Sequence, residues 1–450
     1  MMGLVRLARY RTEEAAACFR RALAARPGFD AAEGNLGNAL AALGRWDEAA
    51  RHHEAVVARQ PGSAAAHANL GRTRQGQGDL DAAAASLATA QRLEPARAET
   101  LADLGALAEA RGRTDEAMDH FRSALASDPR NARAAHALSI AYLKRFEFTP
   151  AWELAESRFD TTPPVTPRRP LPQPEFTAAD WGRGRLALWR EQGVGDQLLF
   201  STLLPDVEAR GQDFVAEVDR RLLPAFARAH PSWRMVSVEE SGAFEGCDRQ
   251  LALGSVPRLL RPDIGSFAAQ PRALLAADAA RAAGYRAELG EAKRWIGISW
   301  RSFQPQRRGK VGAEKSADLA AFRVLADAAG AGLVDLQYGD TAEERARFAS
   351  EGGELRRLAG LDLFEDLDGV MAAIQACEAV VTTSNVTAHL AGALGKRTLL
   401  VYPAGASPFH YWIPGKTGRS LWYPSVEIVA APGLDTWEKV MARAAEMLSR

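Results

Sequence analysis

Residues 382–385 place hydroxyl and amide side chains between an apolar strand and the helical pattern that begins at Val386. The first amide groups of a helix have no partner within it, and the helix dipole is positive at that end. We predict that Ser384, Asn385, Val386 and Thr387 bind a diphosphate there, with two hydroxyls as additional donors. The alternative is that Ser384 and Asn385 only cap the helix, a role that these residue types favour in any protein.

A second candidate group lies in the polar loop that follows the apolar strand ending at Trp300. Arg301 and Lys315 bracket this loop, and a cation at either position would neutralise charge that accumulates on a departing diphosphate. The alternative is a solvated basic loop, and we interpret the other cations of the segment in that way. We predict that Arg301 or Lys315 contacts the anion, without choosing between them.

A glycine-rich turn forms a third candidate group. Residues 191–196 read Glu-Gln-Gly-Val-Gly-Asp, and they connect a predicted strand to a helix predicted over 197–210. Glycine lets a substrate approach the backbone closely because it has no side chain. We therefore predict that Gln192, Gly193 and Gly195 lie at a substrate-binding site.

Alternating strand and helix patterns place these groups on an α/β framework. Apolar strands are predicted at 185–189, 214–218, 235–238, 295–300, 333–337, 379–382 and 398–402. The two series of strands join near residues 270–293, which predicts two doubly wound sheets that face a cleft. Ligands bind at the carboxyl ends of strands in such sheets, so the candidate groups belong at that cleft.

The first third of the chain repeats with a period of 34 residues. The recurring positions are Leu36, Leu70, Leu104 and Leu138, glycines after the first three, and Pro27, Pro61, Pro95 and Pro129. Small residues let paired helices approach closely, and each proline ends the second helix of its unit. The pattern resembles the tetratricopeptide repeat, a helical hairpin that stacks on its neighbours into a superhelix.

The repeat register also makes a prediction about the start of the chain. It places residues 2 and 3 at the Leu-Gly position of a first unit, so the chain begins partway into a helix. An end without a polar capping element exposes the stacking face of the array. We therefore expect that the natural protein starts further upstream or that this end packs on another partner.

Three segments, residues 191–196, 253–258 and 384–395, carry a second resemblance. They are similar to the glycosyltransferase domain of bacterial repeat-containing proteins, related to the heptosyltransferases, over roughly residues 181 to 430. The resemblance implies a GT-B fold, in which two Rossmann-like domains face a cleft and the C-terminal one binds most of a nucleotide-sugar. It also implies an inverting reaction without a bound metal, in which the nucleotide-sugar is a co-substrate and no cofactor is needed.

The resemblance assigns roles to individual residues. It makes Asp196 the general base that takes the acceptor's proton, whereas a helix-capping aspartate without chemistry is the alternative. It thereby places Gln192, Gly193 and Gly195 of the same turn on the acceptor side. His389 matches a histidine that the family carries in this helix, and it becomes a donor-binding candidate; the alternative is a satisfied, partly buried side chain. Gln337 and Tyr338, at the end of a strand, are candidates for contact with the base or ribose. Many relatives have an aspartate where this chain has the threonines at 382–383. The nucleotide of the donor is therefore not determined, and UDP, GDP, ADP and CMP are all alternatives.

Composition limits the classes of protein and partner. The 450 residues exceed what one core holds, and 47% hydrophobic with 25% charged residues is typical of globular protein. Lys plus Arg equals Asp plus Glu at 56 each, so no global basic field attracts nucleic acid. The 3 cysteines lie far apart, without the spacing of a metal site, which suits a reducing cytoplasm. No apolar run predicts a signal peptide or a transmembrane segment.

These patterns predict a multidomain protein with an all-α repeat region and an α/β region. The predicted boundaries are repeats at 1–160, a proline-rich linker at 161–180, an acceptor-side Rossmann-like domain at 181–290 and a nucleotide-sugar domain at 291–450. Asn35 and Asn69 occupy equivalent inner-helix positions of the repeats, where amides can pair with a peptide backbone. This arrangement is similar to that of the O-linked N-acetylglucosamine transferase; the alternative is ordinary solvated polar residues.

The leading hypothesis is a cytoplasmic glycosyltransferase that modifies Ser or Thr hydroxyls of a protein held by the repeats. Flagellin-modifying transferases with this domain order are the nearest specific resemblance, and their donor is a CMP-linked nonulosonic acid. A second hypothesis replaces the protein acceptor with a lipid-linked or polysaccharide acceptor. A third makes the α/β region catalytically silent and the whole chain a scaffold.

Overall fold

The structure is a computed structural model that describes residues 12–290, 293–302, 316–404, 406 and 408–449. The chain divides into two compact units, with the boundary between Arg168 and Arg169. This boundary lies inside the proline-rich segment that the sequence predicts as a linker at 161–180. Lys315 lies outside the described residues, and so do residues 2 and 3 at the start of the predicted first repeat.

The first unit contains nine α-helices within its described residues. Their bounds are α1 Thr12–Ala25, α2 Asp30–Ala42, α3 Trp46–Arg59, α4 Ala64–Gln77, α5 Leu80–Leu93, α6 Ala98–Ala110, α7 Thr114–Ser127, α8 Ala132–Lys144 and α9 Phe148–Ala155. The main packing partners are α2 with α3, α4 with α5, α6 with α7, and α8 with α9. The period therefore predicts the helical pairs of this unit correctly.

The glycine of each Leu-Gly motif lies where two paired helices meet. A Cβ at Gly71 of α4 would lie 2.7 Å from Cγ of Leu87 in α5, which is closer than van der Waals contact. Any larger residue would therefore push the paired helices apart. The equivalent pairs are Gly37 with His53 and Gly105 with Phe121.

The repeat prolines follow the second helix of each unit. Helix α3 ends at Arg59, two residues before Pro61, and α5 ends at Leu93, two residues before Pro95. Proline lacks an amide hydrogen and disfavours helical geometry in the residue before it, so the helix cannot continue. Within the hairpin, Gly78 ends α4 in a left-handed conformation with a φ of 86°.

The second unit contains two separate parallel sheets. The first sheet consists of β1 Arg185–Trp189, β2 Asp213–Glu217, β3 Arg234–Val236 and β4 Arg249–Ala252. Its order is β3-β2-β1-β4, and every pair is parallel. The central strand β1 therefore has chain connections on both sides, and a strand end of this kind is where ligands bind in open α/β sheets.

The second sheet consists of β5 Arg294–Ser299, β6 Ala331–Asp335, β7 Leu355–Arg356, β8 Ala379–Thr382, β9 Thr398–Val401 and β10 Val426–Val429. Its order is β10-β9-β8-β5-β6-β7, again with parallel pairs throughout. The strand order reverses between β5 and β8, whose last residues, Ser299 and Thr382, are in register. This reversal marks a second position where a ligand is expected.

The described helices of the second unit connect these strands. They are α10 Val194–Ser201, α11 Leu204–Ala209, α12 Leu223–Ala229, α13 Pro257–Leu260, α14 Ala279–Leu289, α15 Arg323–Ala329, α16 Ala342–Ser350, α17 Leu367–Ala376, α18 Val386–Ala393 and α19 Trp437–Leu448. The single helix predicted over 197–210 is wrong, because Pro205 occupies the first turn of a separate α11. The strand predictions also omit β4, β7 and β10.

Apolar side chains of the second sheet form a core that α19 covers. Trp300, Phe322 and Met441 are completely buried in it. The strands contribute buried side chains at Ile296 and Ile298 of β5, Val381 of β8, and Leu399 and Val401 of β9. The two predicted strand series are thus each part of a packed sheet, as the apolar runs indicate. Among the helices that the structure describes, none combines the length and the apolar composition that crossing a membrane requires.

Candidate functional site

One cavity of the α/β unit is lined by residues that follow strands of both sheets. Its volume is about 310 Å³. The first sheet contributes the turn after β1, through Gln192, Gly193 and Val194, and the second contributes the start of α18, through Val386 and Thr387. The structure therefore brings the predicted glycine turn and the predicted helix start to one cavity.

Helix α18 follows β8 directly and is capped by Asn385. The Asn385 Oδ1 accepts hydrogen bonds from the Thr382 hydroxyl at 3.0 Å and from the Ala388 amide at 3.4 Å. Its Nδ2 donates to the Ser299 Oγ at 2.8 Å, so the buried side chain joins the ends of β5 and β8. Asn385 is therefore a positioning residue here, and both polar atoms of its amide are used within the protein.

The first residues of α18 leave polar groups at the cavity. The amides of Val386 and Thr387 have no partner within the helix, because no carbonyl precedes them at helical spacing. The Thr387 hydroxyl donates to the Leu336 carbonyl at 3.4 Å, a long bond that a ligand oxygen can replace at little cost. Ser384, just before the cap, is partly exposed. This end of the cavity therefore offers hydrogen-bond donors to an anion.

Gln337 and Tyr338 lie just beyond the end of β6. The buried Gln337 side chain accepts hydrogen bonds from the amides of Trp300 and Arg301, both at 2.9 Å, through its Oε1. Its Nε2 donates to the Tyr338 carbonyl at 3.0 Å. Gln337 thus holds the backbone beyond β5 in place, whereas the Tyr338 side chain lines the cavity.

Arg301 has partners outside the cavity. Its guanidinium donates to the Asp340 carbonyl and forms an ion pair with Glu344 at 3.3 Å. It is absent from the described residues that line the cavity. The Arg301 carbonyl accepts a hydrogen bond from the Asn385 Nδ2 at 3.4 Å, so its backbone lies at the helix start. The guanidinium that was predicted to contact the anion pairs with Glu344 of α16 instead.

The turn after β1 begins with a strained residue. Gln192 has a φ of 48°, a left-handed conformation that costs a residue with a side chain about 1 kcal/mol. Its carbonyl accepts a hydrogen bond from the buried Gln197 Nε2 at 3.2 Å, and the Gln197 Oε1 accepts from the Asp219 amide at 2.7 Å. This network fixes the sharp turn, in which Gly193 is the N-cap residue of α10.

Asp196 is a partly buried residue in the first turn of α10. Burial raises the pKa of its carboxyl group to about 6, although a hydrogen bond with the Gly193 backbone opposes the shift. The carboxylate lies near the phenol groups of Tyr411 and Tyr423, and its charge contributes to raising the pKa values of both. Asp196 is not among the described residues that line the cavity, although Gln192, Gly193 and Val194 of the same turn are.

His389 packs beneath this turn. Its Nδ1 forms a hydrogen bond with the Tyr423 hydroxyl at 3.1 Å, and its ring centroid lies 4.8 Å from that of Trp412. Burial lowers the pKa of His389 to about 3, so the ring is neutral at physiological pH. The backbone of Gly195 lies against the ring. His389 therefore supports the glycine turn from α18, in keeping with the alternative of a satisfied, buried side chain.

Four charged or aromatic residues that line the cavity were not predicted from the sequence: Arg190, Asp219, Arg221 and Phe364. Arg221 binds Asp219 through two nitrogens, at 2.8 Å and 2.9 Å, and donates to the Phe364 carbonyl at 2.7 Å. The last bond connects the region of the first sheet to that of the second. Only Arg190 had a sequence signal, because it directly follows the strand predicted at 185–189. Within the described ranges, no cluster of His, Cys, Asp or Glu side chains is placed to hold a metal ion.

The two predicted asparagines of the repeat unit are in different environments. Asn35 is partly exposed and has no side-chain partner among the described residues. The Asn69 Oδ1 accepts a hydrogen bond from Arg72 at 2.7 Å. Arg72 lies 3.8 Å from the buried Asp103, which also binds Arg133. Arg72 also donates to the Asn38 Oδ1 at 3.2 Å. This group therefore consists of two arginines around one carboxylate.

Sequence comparison identifies the repeats. Models described as tetratricopeptide repeat match residues 6–71 and 68–132. The repeats are tetratricopeptide repeats. Together the two matched segments span most of the first unit, in agreement with the 34-residue period and the helical pairs.

A curated relative matches a larger part of the chain. This chain is 34% identical over 322 residues to Protein FlbA of Caulobacter vibrioides strain CB 15. The match covers 66% of this chain, which is more than the repeat segment, so it extends into the α/β unit. It covers 52% of FlbA, and the chain therefore spans about half the length of that relative.

Solved structures of repeat proteins match about a third of the chain. A thermophilic tetratricopeptide-repeat protein of Thermus thermophilus is 24% identical, with coverage of 36% of this chain and 89% of that one, and a TM-score of 0.33. YrrB, described as a repeat protein with an unusual peptide-binding site, is 20% identical, with coverage of 35% and 81% and a TM-score of 0.26.

Proposed function

We propose that this protein transfers a sugar from a nucleotide-sugar to a hydroxyl group of a polypeptide. The observation that supports this most is the cavity of about 310 Å³, which the glycine turn after β1 and the start of α18 line together. Both elements follow strand ends at which open α/β sheets bind ligands. A GT-B glycosyltransferase needs these two features at one place, an acceptor-side turn and an anion-binding helix start.

The donor is proposed to bind with its phosphate groups at α18. The amides of Val386 and Thr387 donate to the phosphate oxygens, and the positive end of the helix dipole favours the negative charge. Leu336, Tyr338 and Leu390 provide apolar wall for the ring systems of the donor. Asn385 and Gln337 contribute indirectly, because their hydrogen bonds fix the strand ends on which this wall is built.

The proposed chemistry is a direct displacement at the anomeric carbon of the sugar. The acceptor oxygen forms a bond to that carbon, the bond from the carbon to the phosphate oxygen breaks, and the nucleotide leaves with the electron pair. Asp196 accepts the proton of the acceptor hydroxyl. A pKa of about 6 leaves this carboxylate ionised at neutral pH yet more basic than an ordinary aspartate. Its carboxyl group is hydrogen-bonded to the backbone of Gly193, which lines the cavity.

The repeats are proposed to hold the polypeptide acceptor. Tetratricopeptide repeats generally present inner-helix residues to protein partners, and extended peptides bind through their backbone. Asn35 provides an amide with both a donor and an acceptor for such a backbone. Arg72 and Arg133, around Asp103, add a net positive charge that favours acidic peptide segments.

The test measures both donor cleavage and transfer to protein. The full chain is incubated with UDP-, GDP-, ADP- and CMP-linked sugars and with host proteins, and intact mass spectrometry records any added sugar. Asp196→Asn should reduce transfer by at least about a hundredfold, because loss of a general base costs that much. Glu208→Gln is the matched control, since Glu208 is an exposed carboxylate on the next helix.

Each outcome selects one hypothesis. Transfer to protein that Asp196→Asn abolishes and Glu208→Gln retains supports the proposal. Sugar found only on lipid-linked or polysaccharide acceptors would replace the protein acceptor with a glycan. Neither cleavage nor transfer with any donor, from a protein that is folded by circular dichroism, would leave the scaffold hypothesis in its place.

A further inference from the structure

Arg190 occupies a junction between two cavities of the α/β unit. It is the first residue after β1, at the carboxyl end of the central strand of the first sheet. It lines the cavity of about 310 Å³ described above and a neighbouring one of about 220 Å³. Asp219, Arg221 and Phe364 also line both, so the two cavities meet at these four residues.

The other charged groups at this junction are already paired. Arg221 and Asp219 neutralise each other through two hydrogen bonds, at 2.8 Å and 2.9 Å. Arg220, which lines only the smaller cavity, forms an ion pair with Glu365 at 3.2 Å. Glu239 of the smaller cavity accepts a hydrogen bond from Ser237.

The guanidinium of Arg190 has no such partner. Across the described ranges, no acceptor lies within hydrogen-bonding distance of it and no carboxylate within ion-pairing distance. The charge of Arg190 still acts at longer range on the carboxylates of Asp219 and Glu239, because it helps to lower the pKa of both. Among the described residues that line the larger cavity, Arg190 and Arg221 are positive and Asp219 is negative, so the lining has a net positive charge. A cavity of this charge favours a ligand with one anionic group.

The backbone of Arg190 is fixed although its side chain is unpaired. Its amide donates to the Glu217 Oε2 at 3.1 Å, and the same carboxylate forms an ion pair with Arg169 at 2.5 Å. Glu217 is buried at the end of β2, the strand next to β1. The sheet therefore places Arg190 in a defined position, and only the side chain has to adapt to a ligand.

We propose that Arg190 binds a phosphoryl group of the nucleotide donor, a role that rests on the function proposed above. The phosphate oxygens accept hydrogen bonds from its guanidinium and from the first amides of α18, since Arg190, Val386 and Thr387 line the same cavity. A neutral ligand of similar shape would remove water from the guanidinium without replacing its hydrogen bonds. The phosphate thus connects a cation from the first sheet with amides from the second.

The experiment compares nucleotides with nucleosides on the full chain by isothermal titration calorimetry. The probes are UDP, GDP, ADP and CMP, the four corresponding nucleosides, and inorganic pyrophosphate. Arg190→Gln should weaken binding of the accepted nucleotide by about tenfold or more, because a charge-assisted hydrogen bond to phosphate is lost. Binding of the nucleoside should change by less than about twofold, since it has no phosphate for Arg190 to contact.

Two further variants serve as comparison. Arg190→Lys keeps the charge but not the forked geometry, so it should lose less affinity than Arg190→Gln. Arg220→Gln removes the same charge from the neighbouring position, where Glu365 already pairs with it, and should leave nucleotide affinity within about twofold. Circular dichroism and thermal unfolding establish that each variant is folded.

The results separate this inference from the proposed function. If the unmodified chain binds a nucleotide and Arg190→Gln binds it equally well, Arg190 has no role in binding while the glycosyltransferase proposal stands. An equal loss of nucleotide and nucleoside affinity would also overturn the inference, because the effect would not involve phosphate. Absence of binding of every nucleotide and of pyrophosphate by the unmodified chain would overturn both.

Discussion

Gly195 of α10 lies directly against the imidazole of His389 in α18, and a Cβ at position 195 would come within 2.7 Å of the His389 Cδ2. The contact joins the turn after β1 to the helix that follows β8. His389 cannot easily move, because Tyr423 holds its Nδ1 and Trp412 lies beside its ring. The position of the glycine turn therefore depends on a ring from the other sheet.

This contact predicts a large effect of Gly195→Ala. The added methyl group overpacks the site, so the free energy of unfolding should fall by about 1–3 kcal/mol. Gly193→Ala is the matched control, since a Cβ there has only an ordinary contact, 3.9 Å from the Asp196 Oδ2. Urea denaturation measures both variants. His389→Ala should make Gly195→Ala less harmful, and additivity of the two substitutions would contradict the contact.

Helix α2 of the repeat unit offers a second paired comparison. Gly34→Ala should stabilise the protein by roughly 0.5–1 kcal/mol, because alanine is the better helix former and nothing lies within 4 Å of a Cβ there. Gly37→Ala, one turn later in the same helix, should instead destabilise it by about 1–3 kcal/mol through collision with His53. Thermal unfolding compares the two. Equal effects of both substitutions would show that helix propensity, and not the packing of α2 on α3, decides.

Much of this framework is predictable from the sequence because the signals are local. A 34-residue period fixes the pairing of α2 to α9, since each repeat contacts mainly its neighbours. The strands at β1, β5, β8 and β9 are apolar runs, as buried parallel strands must be. Two of the strands that were not predicted are short or polar: β7 has two residues, and β4 begins with Arg249 and Gln250. The third, β10, is a largely buried strand of four residues, with Glu427 between apolar positions.

The candidate site is only partly predictable, because several of its contacts join residues that are distant in sequence. The start of α18 and the glycine turn are visible because a strand end, a cap residue and glycines are adjacent in sequence. The ion pair of Arg301 with Glu344 and the hydrogen bond of Arg221 with the Phe364 carbonyl join residues that are far apart in the chain. Side-chain pairing of this kind follows from tertiary packing, which no periodicity in the sequence encodes.

The raised pKa of Asp196 predicts a pH-dependent cost in stability. Its pKa is about 6 in the folded protein against 3.8 for the free side chain, so the folded state binds the proton more tightly. Stability should therefore fall as pH rises from roughly 4 to 6, and the full penalty, of the order of 3 kcal/mol, applies above that range. Asp196→Asn should raise the free energy of unfolding at pH 8 but not at pH 4. An equal change at both pH values would contradict the assignment.

The same ionisation predicts the pH profile of the proposed transfer reaction. A general base acts only when it is deprotonated, so kcat should fall as pH drops below about 6 and level off above it. Steady-state kinetics with the accepted donor measure this profile between roughly pH 5 and pH 9. Tyr411 and Tyr423, whose pKa values are raised well above the ordinary value by burial, should not titrate in that range.

Tyr423→Phe is the control variant for this pH profile, because it leaves the Asp196 carboxylate in place. That variant should keep the acidic limb, whereas a limb that survives in Asp196→Asn would assign the proton transfer to another group.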